Sequence, residues 1–183
     1  MAQYVTVLLL VLLAFVATTT QSESSKYQYK RLKETNMVFY MHDIVIGTNI
    51  TAIPVAGVPT PIPKGYNFLK LGMIVAIDDK LTAAYEWDSP QVGRARGSYV
   101  NSALDGSDLH FTMSVWFTNK EYNGSTLEIQ GSDRLLQKYR EVSVVSGTGK
   151  FRFARGFAVL ETVYLDLVDL YGIIRWNVTL LHY

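Results

Sequence analysis

The residues best suited to chemistry are acidic and sit in unusual surroundings. Asp43 lies within Met37 to Ile46 (MVFYMHDIVI), on the same alternation as Met37, Phe39, Met41 and Val45. A carboxylate on an apolar strand face is costly unless it is paired or protonated. Two readings follow. Asp43 is either a solvated residue near the strand end, or a pocket acid with a raised pKa, able to move a proton. Asp133 and Arg140 flank a single connection. They form either a structural ion pair or part of a pocket mouth.

Other chemistries find less support. His42, His110 and His182 are far apart and lack metal-ligand spacing, so each is expected at a surface or an edge. No metal and no cofactor is implied. There is no G-x-S-x-G, P-loop or nucleotide fingerprint. Gly147-Thr148-Gly149 reads as a turn, with no helix after it to cradle phosphate.

The elements that must position these residues are strands. Period-two runs broken by Gly, Asn, Asp and Pro recur along the chain. The predicted strands are Met37 to Ile46, a short Pro-interrupted rim or edge strand Thr51 to Val58, and Phe68 to Ile77, ended by Asp78-Asp79. Val92 to Val100, Leu109 to Thr118, Ser125 to Gln130, Tyr139 to Val145, Phe151 to Val163 and Tyr171 to His182 follow. Asn123-Gly124 and Ser146 to Gly149 mark hairpin turns. A turn at Asp133 to Lys138 is the one helix candidate. The small residues Gly93, Ala95 and Gly97 share a face with Tyr99, which suits a crowded barrel interior or a close backbone approach. In Leu109 to Thr118, Trp116 falls on the face opposite Phe117, which predicts a partner and an oligomer. About eight antiparallel strands close into a barrel wide enough for one small ligand. A two-sheet sandwich is the competing arrangement.

The chain has 183 residues, no cysteine, 13% aromatic and 18% charged residues, and a net charge of +1. This composition supports a well-covered core rather than disorder. It argues against nucleic-acid binding, which needs a basic excess. Val5 to Val16 is an apolar run too short to span a bilayer, and Ala17 to Ser22 follows with small and polar residues. This is a signal-peptide pattern. Residues 1–22 are expected to be removed, 23–36 to be an N-terminal extension, and 37–183 to form the domain. Export would make Asn49, Asn123 and Asn177, each in an N-x-[ST] sequon, glycosylation candidates. No later segment is apolar enough for a membrane helix.

The motifs together resemble the plant dirigent proteins. They are Val38-Phe39-Tyr40-Met41-His42-Asp43-Ile44, Asp78-Asp79, Val92 to Gly97 (VGRARG) with Tyr99, Tyr122 to Leu127 (YNGSTL), Arg140-Glu141, Val144 to Gly149 (VVSGTG), Phe151 to Gly156 (FRFARG), and Asn177 to Thr179 with His182-Tyr183. The resemblance implies an all-β, eight-stranded antiparallel barrel with a central pocket, assembled as a trimer and secreted to the apoplast. It places Asp43, Asp133, Arg140 and substrate-binding Tyr99 at the pocket.

The primary expectation from the resemblance is stereoselective coupling of phenoxy radicals made by an external laccase or peroxidase, as in lignan biosynthesis. The alternative is a pterocarpan synthase-type dehydratase that closes an isoflavonoid alcohol through a quinone methide. A phenolic-binding barrel without catalysis is a second alternative. Lignan-forming members usually carry cysteines near both ends of the mature chain. This chain has none, which aligns it with the cysteine-free subgroup that includes the pterocarpan synthases. In the dehydration reading Asp43 and Asp133 are the acid and base, and Arg140 stabilises developing negative charge.

Overall fold

A computed structural model describes residues 31–63, 66–67 and 69–183. The expected signal peptide (1–22) and most of the expected extension lie outside the described residues. Nine strands form: β1 Lys33–Ile44, β2 Ala52–Ala56, β3 Ile74–Thr82, β4 Gln91–Asn101, β5 Leu109–Phe117, β6 Thr126–Asp133, β7 Arg140–Gly147, β8 Arg155–Asp166 and β9 Tyr171–His182. All pair antiparallel in the order β1-β9-β8-β7-β6-β5-β4-β3-β2.

One further pairing turns this sheet into a barrel. β1 bonds to β9 along its whole length, from Lys33↔His182 to Ile44↔Tyr171. Its second half also bonds to β3 through Tyr40↔Thr82, Met41↔Leu81 and His42↔Lys80. Eight strands therefore close the ring, which excludes the sandwich. The first half of β3 pairs with β2 instead, so β2 is a ninth, short edge strand. Its Pro54 suits that position, because an edge strand can spare a donor.

The alternation of each strand decides what fills the ring. Phe39, Phe117, Leu127, Ile129, Phe151, Leu160, Trp176 and Leu180 are almost completely buried. Phe39 stacks on Trp176 with centroids 5.9 Å apart, and Phe111 stacks on the same indole at 6.4 Å. Phe151 packs on Phe117 at 5.5 Å. Of these rings, Phe117 and Phe151 plug the end where β5 and β9 finish, and Phe111 lies near the start of β5. β4 lies tight against β5: Gly97 has φ +152°, and a Cβ there would collide with the Thr112 carbonyl. At Gly97, of the two roles expected for the small residues of β4, the close approach of two backbones holds.

Several sequence expectations need correction. Asp78-Asp79 does not end the third strand. β3 runs on to Thr82, with Val75, Ile77, Asp79 and Leu81 inside and Ala76 and Asp78 outside. Asp78 is accommodated because it accepts hydrogen bonds from Arg94 and Arg96 on β4, the latter at 3.1 Å. The connection after Asp133 is a turn without helix, while a short 3-10 turn, Gly149–Phe151, follows β7 where a plain hairpin turn was expected.

The histidines also depart from expectation. His42 is fully buried and His182 nearly so, while only His110 is exposed. The Nδ1 of His42 lies 2.8 Å from the Tyr171 hydroxyl and its Nε2 lies 2.9 Å from the Thr82 hydroxyl. The Trp87 ring, from the β3–β4 connection, covers it edge-on at 5.3 Å. Burial, with the Lys80 charge, lowers its pKa to about 4. His42 is therefore a neutral packing residue that pins the 83–90 loop to the outer wall. Trp116 does face outward, and the Arg96 guanidinium lies over its ring at 4.5 Å.

Candidate functional site

The end of the barrel opposite the aromatic plug holds a cavity of about 200 Å³. Its wall is mostly apolar, with Met41, Met73, Leu109, Phe111, Leu135 and Ile174 among its residues. Asp43, Tyr99, Asp133 and Arg140 all line it, so one cavity brings together the four residues singled out from the sequence. Thr162 and Gly172 join them.

The polar groups fall on two opposing walls. Around the closed ring, β1 lies four strands from β6, β3 four from β7, and β4 four from β8. Asp43 on β1 and Tyr99 on β4 therefore face Asp133 on β6 and Arg140 on β7 across the cavity. Gly172 sits directly opposite Asp43 in the β1–β9 register. The absence of a side chain there leaves room for a ligand beside the carboxyl.

The β6–β8 wall is an ion pair with a spare donor. Arg140 Nε donates to Asp133 Oδ1 at 2.6 Å, and its Nη1 donates to the Thr162 hydroxyl at 2.9 Å. Both charged side chains are almost wholly buried. Burial raises the Asp133 pKa despite the opposing pull of Arg140. Arg140 Nη2 is buried with no partner among the described residues. An unpaired guanidinium nitrogen in a cavity wall costs free energy in the empty protein and suits a ligand oxygen. Asp133 and Arg140 are thus a structural pair and a cavity wall at once.

The β1–β4 wall carries acids whose pKa values burial raises. Asp43 is the penultimate residue of β1, is half-buried and lines the cavity. Burial raises its pKa to about 6, against the opposing effect of the Tyr99 hydroxyl. Burial, together with the charges of Asp43 and Asp79, pushes the Tyr99 phenol well above its ordinary value. Tyr99 stays neutral and serves as a hydrogen-bond donor to the Asp43 carboxylate.

Asp79 is the functional candidate missed from sequence. It is fully buried, and neither carboxyl oxygen has a hydrogen-bond partner among the described residues. The nearby Thr51 hydroxyl is committed to the His42 carbonyl at 3.0 Å. Burial, then the charge of Asp43, raises Asp79 well above the usual carboxylate range. The signal was present: carrying the Val75, Ile77, Leu81 alternation across the acidic pair places Asp79 inside.

Asn49, Asn123 and Asn177 are exposed, in a bend, a turn and the outer face of β9 respectively. They lie apart from the cavity. Among the described residues no group of three or more His, Asp or Glu is placed to hold a metal ion, and no helix is long and apolar enough to cross a membrane.

A closed antiparallel barrel with a mostly apolar cavity and a few convergent polar groups defines a small-molecule-binding barrel. Comparison with known proteins narrows this class. Residues 34–181 match the family model described as "Dirigent-like protein". Dirigent protein 1 of Arabidopsis thaliana is 39% identical over 173 residues, covering 91% of this chain and 92% of that protein. Pterocarpan synthase 1 of Glycyrrhiza echinata is 35% identical over 176 residues, covering 94% and 92%. A solved pterocarpan synthase dirigent protein superposes with a TM-score of 0.77 at 37% identity, over 86% of this chain and 89% of that one. The chain belongs to the dirigent protein family.

Proposed function

We propose that this dirigent protein is a dehydratase and cyclase for phenolic benzylic alcohols of the isoflavonoid type, working through a quinone methide. One observation carries the reading: a carboxyl poised near pKa 6 lines the cavity opposite a buried guanidinium with an unused donor. Pure guidance of radicals has no need for such an acid. Departure of a hydroxyl group does.

The steps balance without an outside reagent. Asp43 gives its proton to the substrate hydroxyl as the C–O bond breaks, and both bonding electrons leave with the water. The conjugated phenol loses its proton to Asp133, and Arg140 stabilises negative charge on the phenol oxygen as it develops. The product is a neutral quinone methide. A second phenolic hydroxyl then attacks the benzylic carbon, forming the C–O bond of the new ring. Its proton returns to Asp43, while Asp133 returns the first proton to the original phenol oxygen. The net change is loss of one water. The cavity fixes the face of attack by holding both reacting groups in one orientation. A tenfold bias between hands needs only about 1.4 kcal/mol.

The relatives named pterocarpan synthases and the absence of cysteine in this chain support the same reading. Stereoselective coupling of phenoxy radicals is the second reading. It is favoured by the apolar remainder of the wall, where Met41, Phe111 and Ile174 offer packing surface to aromatic rings. One experiment separates the two. The protein is incubated with a racemic 2′-hydroxyisoflavan-4-ol without oxidase, and with coniferyl alcohol plus laccase, and products are resolved by chiral chromatography. Ring closure of one enantiomer without oxidase is expected. An enantiomeric excess seen only in the laccase arm would overturn the dehydratase reading in favour of the second.

A further inference from the structure

Asp79 does not line the cavity, yet it lies directly behind a residue that does. The β1–β3 register places His42 opposite Lys80. One step further along, Asp43 and Asp79 come side by side, both pointing into the ring. The two carboxyl groups therefore share one buried space with the Tyr99 phenol. The surroundings on every side are accounted for. Lys80, Asp78 and Arg94 belong to the outer face of the wall. Thr51 has spent its hydroxyl hydrogen. No cation among the described residues makes a hydrogen bond or ion pair with Asp79. A fully buried carboxylate with no donor is untenable as an anion, and a protonated one needs an acceptor for its O–H. The carboxyl of Asp43, one step beyond the last paired residues of β1 and β3 and acting on Asp79 through its charge, is the acceptor beside it.

We propose that Asp79 is the proton reserve of the site, a positioning residue that acts through Asp43 and returns the proton Asp43 gives to the leaving hydroxyl. The inference rests on the dehydratase reading. At rest the pair holds one shared proton across the neutral range, because two adjacent carboxylates in a dry site resist ionising together. When Asp43 is ionised, the O–H of Asp79 donates to it. That proton passes from Asp79 to Asp43 and on to the departing oxygen, and both carboxyls stay ionised only until the ring closes. Ring closure releases the proton of the attacking hydroxyl, which travels back through Asp43 to Asp79. No bond other than O–H changes, and nothing is oxidised or reduced.

The test is the pH dependence of kcat for Asp79→Asn beside the unsubstituted protein, with the 2′-hydroxyisoflavan-4-ol as substrate. With the reserve in place, the rate falls as pH rises through about 6 and then levels off. Asp43 standing alone has no plateau: its protonated fraction falls about tenfold per pH unit above its pKa. The ratio of the two rates is therefore expected to grow about tenfold per pH unit from pH 7 to 8.5, with KM little changed. A constant ratio across that range would show a merely structural residue and overturn the inference.

Infrared titration of the unsubstituted protein gives a readout independent of turnover and of the variant's folding. The carbonyl band of a protonated carboxyl should persist at pH 8. Its disappearance by pH 7 would refute the reserve. Failure of the unsubstituted protein to turn over the alcohol would sink the dehydratase reading alone, leaving the infrared band to decide whether Asp79 holds a proton.

Discussion

Replacing Asp43 by Asn should make the protein more stable and much less active. The Asp43 carboxyl moves from an ordinary 3.8 to about 6 on folding. The folded chain thus holds this proton more tightly than the unfolded chain. Its contribution is fully present below about pH 4 and is lost as pH rises through about 6. At 1.36 kcal/mol per pH unit, the ionised side chain costs the folded state about 3 kcal/mol at neutral pH. Asn keeps the size and has no charge to desolvate. The difference in stability between Asp43→Asn and the unsubstituted protein should be near zero at pH 4 and approach about 3 kcal/mol at pH 7.5. For a chain of this length that is roughly 6–12 °C in Tm. Calorimetry across this pH range measures it. Activity should fall about 10²-fold or more, since no acid remains at the leaving group. A Tm difference that is the same at both pH values would refute the placement of Asp43 in a desolvating site.

Two further substitutions test the opposing wall and the outer face. Arg140→Met strands the Asp133 carboxylate inside the barrel and should cost about 3–5 kcal/mol in denaturant unfolding, because an unpaired buried charge is worse than none. That loss should shrink as pH is lowered and Asp133 takes up a proton. Asp78→Asn should change stability by less than about 1 kcal/mol, and by less still in high salt, because its pairs with Arg94 and Arg96 are exposed. A cost above about 2 kcal/mol at Asp78 would contradict the assignment of the two neighbouring aspartates to opposite faces.

Strand-rich architecture was legible because period two is a strong signal wherever one face is buried. β9 begins and ends where its alternation says, and Pro54 marks β2 as an edge strand. The errors have specific causes. Asp78-Asp79 looked like a strand terminus because two acids in a row suggest solvent. Arg94 and Arg96 on the neighbouring strand satisfy the first, and proton retention makes the second tolerable. His42 looked exposed because its alternation points away from the ring. The loop bearing Trp87 folds back over that outer face, a tertiary event that no local pattern encodes. Of the site, Asp43 was visible as an acid on an apolar face. Asp133 and Arg140 were visible as either an ion pair or a pocket mouth, and local pattern did not reveal that they are both. Alternation put Tyr99 on the face of Gly93, Ala95 and Gly97, and its place at the pocket came through family resemblance. The space beside Asp43 depends on Gly172, which only strand register reveals.

The pairing of the first strand with the last has a consequence for how the chain reaches its native state. Thr35 and His182 bond across 147 positions of sequence, and β1 has no complete neighbour until β9 arrives. Strands β3 to β8 can zip as successive hairpins, each a local event. The ring then waits on its final segment. Such long-range closure is slow, because the chain must give up loop entropy before the contact rewards it. During synthesis β1 is made first and spends the longest time as an open edge, the kind of surface that invites pairing with another chain. Loss of even the last dozen residues would remove the only strand that joins β8 to β1. Strand β9 is therefore a latch. A chain cut short there would not merely lack an end. It would present two open edges and no enclosed cavity.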